Sequence, residues 1–447
     1  MGRVESVARP RGLRPWLASL TPAGRPLVPI GWALYDFANT IFSFAIVSGA
    51  MGLWVNDDAR FGERDGAIVL SAAIVVSVGV NALVSPVLGA LSDRGGRRLP
   101  FLAFFTALCV VPTALIGGSP PLLGVVLFVV ANFAYQAALI YYDATLRTVS
   151  LPSTRGTLSG LGVGIGYCGT IVSGAILIGG GFSVEQRFPI AALLFGLFAV
   201  PIFLVVRETG AARPVVRLAD VTQAFLRLRR TVVDAAATPG LGRFLVARFF
   251  YTDAVNTIIV VMSVVSVEAM GLTATEALGV LLSLTIVAIV VSVAWGRAVD
   301  RFGPRRTLMV VLVSWAVGLV LGAVSLGVPG PPGMAMFLVA GGLLGSGLGG
   351  VQIADRVLLV RLAPPERLGE FFGLYGLVGK GSQIVGLILY AAVIGAFVET
   401  LGTGAYQLAV ISLLVTMAIG AWILRPVRDG WDASSGGVAP APAPSAE

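Results

Sequence analysis

Two copies of one motif organise this chain, "GALSDRGGRR" at residues 89–98 and "GRAVDRFGPRR" at residues 296–306. Each copy has a glycine, an Asp-Arg pair starting four residues later, a second glycine and an Arg-Arg pair. The second copy contains one additional residue, Pro304. Both copies lie between two long apolar runs. Their spacing predicts that the two halves of the chain are structural repeats.

Two further stretches repeat in the same order. "YDFANT" at 35–40 recurs as "YTDAVNT" at 251–257, and "YDATLRTVSLPSTRG" at 142–156 recurs loosely as "ADRVLLVRLAPPERLG" at 354–369. In the first pair Asp36 matches Asp253, and Asn39 matches Asn256. Three repeated stretches in the same order indicate a duplicated unit, which is a common plan among transporters.

The composition is that of a protein embedded in a membrane. Of the 447 residues, 56% are hydrophobic and 12% are charged, and the mean hydropathy is +0.91. A soluble domain has about 25% charged residues, so this chain has too little polar surface to be soluble. We therefore expect a polytopic membrane protein with the lipid bilayer as a partner.

Twelve apolar runs are each about as long as a membrane-spanning helix requires. They lie near 28–54, 67–91, 99–116, 121–147, 157–180, 188–206, 242–268, 274–298, 304–327, 334–361, 369–398 and 403–424. Only helices suit these runs, because lipid offers the backbone no hydrogen-bond partners. The predicted fold is an all-α membrane protein with twelve transmembrane helices in two pseudo-symmetric six-helix bundles, residues 28–206 and 242–424.

The arginines predict the orientation. They cluster in alternate loops, which places these loops and both termini in the cytoplasm of a plasma (inner) membrane protein. Because the basic residues follow this pattern, the formal charge of +8 does not indicate nucleic acid. Residues 1–27 are expected to be a cytosolic tail rather than a signal peptide. A cytosolic linker at 207–241 is predicted to carry an amphipathic surface helix with Leu218, Val221, Phe225 and Leu228 on one face. Residues 425–447 are expected to be a disordered tail.

Several kinds of chemistry are unsupported. The chain has no histidine and two cysteines within apolar runs, so neither a metal site nor a Ser–His site is expected. Gly164, Gly166 and Gly169 match a dinucleotide-binding pattern, but no strand precedes them, and their small size favours helix packing instead. We predict no enzyme activity and no cofactor, except H⁺ or Na⁺ as a coupling ion.

Polar residues inside the apolar runs mark the candidate site. An ionised aspartate at the middle of a spanning helix costs roughly 2.5–3.5 kcal/mol. Asp36, Asn39, Thr40 and Ser43 lie at i, i+3, i+4 and i+7 of the first run, so they share one helix face. That face must point at protein or at a water-filled cavity. The candidate substrate- and ion-binding residues are Tyr35, Asp36, Asn39, Asn132, Gln136, Tyr142, Asp143, Tyr251, Asp253, Asn256, Gln352, Asp355, Lys380 and Gln383.

Each of these residues also has a structural interpretation. Asp143 could pair with Arg147 at i+4, Asp355 with its neighbour Arg356, and Asp253 with Arg248. Lys380 could direct its ammonium towards a membrane surface. Asp36 could form a structural ion pair within the bundle.

The doubled motif resembles the signature loop of the major facilitator superfamily. "WALYDFANT", "RGTLSGLGVGIGYCG" and "EFFGLYGLVGKGSQ" resemble the vacuole-effluxer-like branch, whose bacterial members are often called "unknown major facilitator". The resemblance covers nearly all of residues 30–425. It implies that the first helix of each three-helix unit lines a central cavity and that the motif loops gate it. The implied gating residues are Gly89, Asp93, Arg94, Arg97, Arg98, Gly296, Asp300, Arg301 and Arg305.

These observations lead to one main hypothesis and two alternatives. The chain is predicted to be a monomeric secondary transporter that moves a small polar solute by alternating access. The solute is an amino acid or a similar zwitterion, whose amine meets Asp36 or Asp253 and whose carboxylate meets Lys380. Asp36 or Asp143 could instead carry the coupling ion. The first alternative is efflux of hydrophobic or cationic compounds, for which Lys380 would be dispensable. The second is a non-transporting membrane sensor, which would need an appended signalling domain.

Overall fold

The computed structural model describes residues 12–22, 24–208 and 229–429, and the regular secondary structure of these residues is helical. In the first half the helices are α1 Leu13–Ala18, α2 Leu27–Val55, α3 Gly62–Gly95, α4 Leu99–Ile116, α5 Pro121–Val149, α6 Arg155–Ser173 and α7 Val184–Val205. In the second half they are α8 at 229–237, α9 Leu241–Val264, α10 Ala274–Phe302, α11 Pro304–Ser325, α12 Pro331–Leu362, α13 Leu368–Leu401 and α14 Thr403–Leu424.

Twelve of these helices, α2–α7 and α9–α14, correspond to the predicted apolar runs. Within the described residues, eleven are long and apolar enough to cross a membrane. The twelfth, α9, has 24 residues and continues as the π-helix Val265–Ala269. Helix α9 also carries Arg243, Arg248 and Asp253. The predicted all-α membrane architecture is therefore observed.

The distribution of side chains fits a bilayer. Large apolar side chains such as Leu83, Val111 and Leu193 are exposed on the outside of the bundles, where acyl chains would cover them. Trp32 and Trp315 are fully buried within the bundles. The interior also contains polar side chains, which in a membrane protein must find partners or face a cavity.

The two halves pack in the same way. In the first half α2 contacts α6 and α7, α4 contacts α5 and α7, and α3 contacts α5. The same five pairs recur in the second half between α9 and α13, α9 and α14, α11 and α12, α11 and α14, and α10 and α12. The pseudo-symmetry expected from the three repeated stretches is therefore present in the packing.

The halves meet mainly along two helix pairs, α3 with α13 and α6 with α10, and also where α6 contacts α12 and α5 contacts α13. Glycines allow these helices to approach at backbone distance. A Cβ atom added to Gly373 would lie 2.2 Å from the Ser85 carbonyl oxygen, and one added to Gly160 would lie 2.6 Å from that of Ser292. Such contacts let helices slide or rock without interlocking side chains.

The segments outside the bundles are only partly described. Leu218, Val221, Phe225 and Leu228 of the predicted amphipathic helix lie outside the described residues, and the described part of the linker contains α8. At the N-terminal end, Leu17 and Leu20 are buried, and the Leu151 N–H donates to the Leu20 carbonyl over 3.3 Å. Near the other end, Asp429 caps α11. Residues 425–429, assigned by the sequence to a disordered tail, therefore contact the second bundle.

Candidate functional site

A polar cavity of about 460 Å³ lies between the two bundles. Its walls come from α2, α5, α6, α12 and α13. The lining residues are Asp36, Asn39, Thr40, Ser43, Phe44, Ser48, Tyr135, Leu139, Asp143, Val163, Gly166, Tyr167, Thr170, Gln352, Arg356 and Tyr375. Ligand pockets for small molecules are commonly about 300–1,000 Å³, so this cavity is large enough for a small solute. Of the predicted site residues, it brings together Asp36, Asn39, Asp143 and Gln352.

The polar stripe of α2 forms one wall of the cavity. Asp36, Asn39, Thr40 and Ser43 all lie in the lining. Asp36 packs against α6, because a Cβ atom added to Gly162 would be 3.3 Å from its Oδ2. The buried Asn39 amide has no hydrogen-bond partner among the described residues for its nitrogen or its oxygen. An unpaired buried amide is costly, and this group has no partner in the conformation described here.

Within α2, residues Phe42–Ala50 form a π-helix, and the final segment Met51–Val55 is α-helical again. It includes the cavity residues Ser43, Phe44 and Ser48. The Ser43 hydroxyl donates to the Thr40 carbonyl over 3.2 Å, and the Ser48 hydroxyl donates to the Ser43 carbonyl over 3.2 Å. Most π-helices are short and many lie at functional sites. This π-helical segment lies directly beside the candidate site.

An ion pair between the bundles forms the floor of the cavity. Arg356 Nε of α12 lies 3.0 Å from Asp143 Oδ1 of α5. The oxygen has no aligned hydrogen bond, so the contact is an ion pair rather than a directed bond. The Arg356 guanidinium carbon is 5.6 Å from the ring centroids of both Trp32 and Tyr142. Arg356 also interacts electrostatically with Asp36, and its Nη1 has no hydrogen-bond partner in the described part of the chain.

This pairing corrects two interpretations drawn from the sequence. Asp143 pairs with Arg356 on the opposite bundle and not with Arg147, one turn along its own helix. Asp355 does not pair with its neighbour Arg356. It accepts instead from Arg248 and from the Tyr251 hydroxyl, the latter over 2.5 Å. Successive residues of a helix point about 100° apart, so Asp355 and Arg356 face different surroundings.

Asp253 and Asn256 lie within the second bundle. The pairing of Asp253 with Arg248 is wrong, because Arg248 contacts Asp355 instead. Asp253 is 2% exposed and packs against Gly386 of α13. The Asn256 amide donates to the Gly379 carbonyl over 3.4 Å. Among the described residues, α9 contributes none to the cavity lining.

Lys380 lies at the contact between α3 and α13 rather than in the cavity lining. Its ammonium donates to the Asn81 side-chain oxygen of α3. Asn81 is fully buried and its amide donates to the Phe133 carbonyl over 3.1 Å. The ammonium is therefore bound between helices and does not extend to a membrane surface.

The remaining candidates have structural surroundings. The Tyr35 hydroxyl is 2.6 Å from that of Thr106, and the Asn132 amide donates to Ser77 over 2.7 Å. Tyr142 is buried below the cavity and donates to the Trp32 carbonyl over 3.2 Å. Gln136 and Gln383 are half-buried and lie outside the lining. Within the described residues, no group of three acidic, cysteine or histidine side chains could hold a metal ion.

The two motif aspartates cap helices of the opposite bundle. Asp93, at the end of α3, accepts from the backbone N–H groups of Gly369 and Glu370 over 3.0 and 2.9 Å. Asp300, at the end of α10, accepts from those of Gly156 and Thr157, both over 2.7 Å. In each case the donors are the second and third residues of a helix, α13 or α6. A carboxylate at a helix N-terminus is stabilised by free N–H groups and by the helix dipole.

A glycine four residues before each aspartate permits this contact. A Cβ atom on Gly89 would lie 1.9 Å from the Gly369 carbonyl oxygen, and one on Gly296 would lie 2.4 Å from that of Gly156. We call these contacts the Asp93 latch (Gly89 and Asp93 with residues 369–370) and the Asp300 latch (Gly296 and Asp300 with residues 156–157). The additional Pro304 begins α11 and does not alter the capping geometry.

The other predicted gating residues make contacts near the latches. Arg98 donates to Asp93 over 3.1 Å, and Arg94 and Arg97 have partners of their own. The Arg301 guanidinium carbon lies 5.2 Å from the ring centroid of Phe302. The backbone N–H of Arg305 donates to Asp429 over 2.7 Å. In the first half Glu208 takes the position that Asp429 has in the second. It accepts from the backbone N–H groups of residues 98 and 99, at the start of α4, over 2.8 to 3.0 Å.

Sequence reasoning missed several of these residues. Arg356, Tyr167 and Tyr375 line the cavity. Arg356 follows Gln352 by one helical turn, so a stripe at i and i+4 could have revealed it. The caps Glu208 and Asp429 each follow the last helix of a bundle, an equivalence that a comparison of the halves could have shown. Tyr167, which accepts from Gln352 over 3.2 Å, has no comparable signal in the sequence.

Solved structures with the same architecture are transporters of the major facilitator superfamily. The structure of the human organic anion transporter MFSD10 (TETRAN) matches 89% of this chain and 98% of its own, with a TM-score of 0.69 and 15% identity. That of the proton:xylose symporter XylE, bound to 6-bromo-6-deoxy-D-glucose, matches 90% and 94%, with a TM-score of 0.66 and 12% identity. The chain has the major facilitator fold.

A family model classifies the chain more narrowly than its fold does. Residues 147–430 match the model of the family "Vacuole effluxer Atg22 like", and the chain belongs to this family. It is also 27% identical over 417 residues to the uncharacterized MFS-type transporter YxiO of Bacillus subtilis (strain 168), covering 89% of this chain and 94% of that protein. The resemblance to the vacuole-effluxer-like branch is thus confirmed, and the chain is a membrane transporter of the major facilitator superfamily.

Proposed function

We propose that this transporter moves a small zwitterionic solute, such as an amino acid, by alternating access between the two bundles. The observation that carries the proposal is the presence of opposite charges from the two halves in one cavity. Asp36 on α2 and Arg356 on α12 belong to different halves and interact electrostatically across the site. A solute with an amine and a carboxylate would connect both halves at once.

The groups in the cavity favour such a solute. Arg356 retains an unpartnered Nη1, which can donate to a carboxylate. Asp36 can accept from an ammonium, and the unpaired Asn39 amide can both donate and accept. Arg356 takes the role that the sequence assigned to Lys380, because the ammonium of Lys380 is bound to Asn81 outside the lining.

The latches provide the second part of the mechanism. Both lie at the end of the molecule where α3 and α10 finish, and we call this the latch side. The cavity extends from the Asp143–Arg356 pair towards the opposite side, along α2 from Asp36 to Ser48. With the orientation predicted from the arginines, the latch side is cytoplasmic and this conformation faces outward. Transport then requires both latches to open and the cavity to close beyond the solute.

The charge of the cavity supports one alternative. Asp36 and Asp143 outnumber Arg356 in the lining, so the described cavity has a formal charge of −1. Such a site also suits a cation without a carboxylate, as the efflux hypothesis requires. A zwitterion and its methyl ester, which lacks the free carboxylate, distinguish these functions. The proposal requires that the ester binds more weakly than the parent amino acid.

The variant Asp36→Asn tests the proposed site. We expect it to lower uptake of the transported amino acid into proteoliposomes about ten- to a hundredfold, because a charge-assisted hydrogen bond contributes about 1.5–3 kcal/mol. The amino acid is first identified by thermal-shift screening of the purified protein, since a bound ligand stabilises the fold. Glu399→Gln, which removes an exposed acid from α13, is the matched control. Equal uptake by both variants would contradict the assignment.

The variants Asp93→Asn and Asp300→Asn test the latches. Each keeps the size of the side chain but removes the charge that the helix N-terminus stabilises, so each is expected to increase the latch-open population about tenfold. Spin labels at Ser153→Cys and Glu366→Cys, in opposite bundles on the latch side, report the separation in a background without Cys109 and Cys168. The double variant is expected to open further than either single variant. Unchanged distance distributions would show that the caps do not hold the closed state.

A further inference from the structure

Asp253 lies in a second polar site inside the C-terminal bundle, separate from the cavity. It is 2% exposed and faces α13 at Gly386. A Cβ atom added to Gly386 would be 2.3 Å from Asp253 Oδ1 and 2.1 Å from Thr257 Oγ1. The carboxylate and the hydroxyl, one turn apart on α9, therefore converge on the same glycine, where a side chain would displace them.

Within the described residues neither group has a well-aligned hydrogen bond, although the Gly386 N–H and the Thr416 hydroxyl lie near the Asp253 carboxylate. Within the described residues, both carboxylate oxygens of Asp253 and the Thr257 hydroxyl lack a hydrogen-bond partner. Thr416 of α14 faces the carboxylate, but its hydroxyl donates to the Leu413 carbonyl over 3.0 Å. The Tyr390 hydroxyl, one turn beyond Gly386, is also buried without a partner.

The charged groups of the surrounding helices are engaged elsewhere. Arg248, on the same helix as Asp253, pairs with Asp355 of α12, and Lys380 of α13 binds Asn81. Helix α14 carries no charged side chain within Thr403–Leu424, and Tyr406 is its ionisable residue. In the described structure no charged side chain interacts electrostatically with the Asp253 carboxylate. Its negative charge is therefore not compensated by the protein.

We propose that Asp253 is the site that carries the coupling proton. A buried carboxylate without a counter-charge is strongly disfavoured, whereas the neutral acid needs only a hydrogen-bond acceptor. When a proton binds one Asp253 oxygen, the resulting O–H can donate to the Thr257 hydroxyl. Two unpartnered side chains provide few ligands for a metal ion but suffice for a proton. The uncharged acid is thus the form that fits this packing.

The position of Asp253 explains how the proton would affect transport. Its carboxyl group faces Gly386 of α13, and the N-terminus of the same helix is held by the Asp93 latch. The neighbouring Asn256 also donates to α13, at Gly379. Loss of the proton would place a bare charge against α13 and favour a conformation in which this helix moves and water reaches Asp253. Protonation near the middle of α13 would thus be coupled to the latch at its N-terminus.

The first test needs no transported solute. Infrared difference spectra of the purified protein between neutral and alkaline pH, in H₂O and D₂O, are expected to show the C=O stretch of a protonated buried acid. This band should be lost in Asp253→Asn and retained in Asp36→Asn. The same band in wild type and in Asp253→Asn, or its absence from wild type, would overturn the proposal.

The second test rests on the proposed function and uses the amino acid found by thermal shift. Asp253→Asn is expected to keep counterflow, which needs no net proton movement, at within about twofold of wild type. Accumulation driven by an imposed pH gradient should fall at least tenfold. Accumulation driven by a Na⁺ gradient alone in wild type, or gradient-driven accumulation that persists in Asp253→Asn, would overturn the proton site. Failure of counterflow in wild type would contradict the proposed solute and leave the infrared result to decide on Asp253.

Discussion

Replacing Gly89 with alanine is expected to abolish the latch-closed conformation. The added Cβ atom would lie 1.9 Å from the Gly369 carbonyl oxygen and 2.7 Å from the Glu370 nitrogen, where real Cβ atoms do not approach within 3.0 Å. Because these are backbone atoms of a helix terminus, no side-chain rotation relieves the overlap, and α3 and α13 must separate. We expect the spin-label distance between positions 153 and 366 to increase and uptake to fall below detection.

Gly79→Ala provides a matched control on the same helix. No atom lies within 4 Å of a Cβ atom at Gly79, and alanine is the better helix former by about 1 kcal/mol. This variant should retain uptake and the closed distance distribution. If Gly89→Ala also retained both, the approach of α3 to α13 would not be required for closure.

The size of the expected effect follows from the two-state balance. Reversing a population from 99:1 to 1:99 requires about 5.5 kcal/mol. Small shifts of the helices cannot relieve the overlap between the added Cβ atom and the α13 backbone, because protein interiors are closely packed. Asp93→Asn leaves the approach of the helices intact and weakens only the cap. The glycine variant should therefore open the latch more completely than the aspartate variant.

The features that were predicted best from the sequence are those that local patterns determine. The twelve apolar runs follow from the length of a membrane span, and the glycine and aspartate of the latches have a fixed spacing. The stripe of Asp36, Asn39 and Thr40 follows from helical periodicity. These predictions need only the spacing of residues along one helix or one loop.

The partners of the charged residues could not be predicted in this way. Asp143 has Arg147 at helical spacing, yet its partner is Arg356, 213 positions away on another bundle. Likewise Arg248 of α9 forms an ion pair with Asp355 of α12. Which charges meet depends on how the helices rotate and cross, and helical spacing within a single chain segment does not contain this information. Lys380 was misplaced for the same reason.

The repeat also breaks down at the candidate site. Asp36 and Asp253 are equivalent in the sequence, and each packs against a glycine of its own bundle, Gly166 or Gly386. Among the described residues, Asp36 lines the cavity and Asp253 does not. The helix packing is shared by the halves, whereas the described cavity opens beside α2 and not beside α9. This asymmetry allows one acid to serve the solute and the other to carry a proton, a division of roles that identical halves could not provide.

The variant Arg356→Gln is expected to be among the most destabilising single changes in the cavity. It removes the cation that faces Asp143, and breaking a buried ion pair commonly costs about 3–5 kcal/mol because the remaining charge is uncompensated. The Arg356 side chain is 8% exposed and that of Asp143 is 16% exposed, so water screens the pair little. Unfolding in mixed SDS micelles should show the loss, and uptake should also be abolished because the floor of the cavity is opened.

A double-mutant cycle separates the ion pair from the transport role of Arg356. Asp143→Asn combined with Arg356→Gln removes both charges, and its stability is expected to return to within about 1–2 kcal/mol of wild type. Its uptake should remain abolished, because the proposed carboxylate-binding cation is still missing. Arg147→Gln, which removes the arginine that helical spacing had assigned to Asp143, should change neither property. If Arg147→Gln instead destabilised the protein as much as Arg356→Gln, Asp143 would be paired along its own helix, and the ion pair between the bundles would not form the cavity floor.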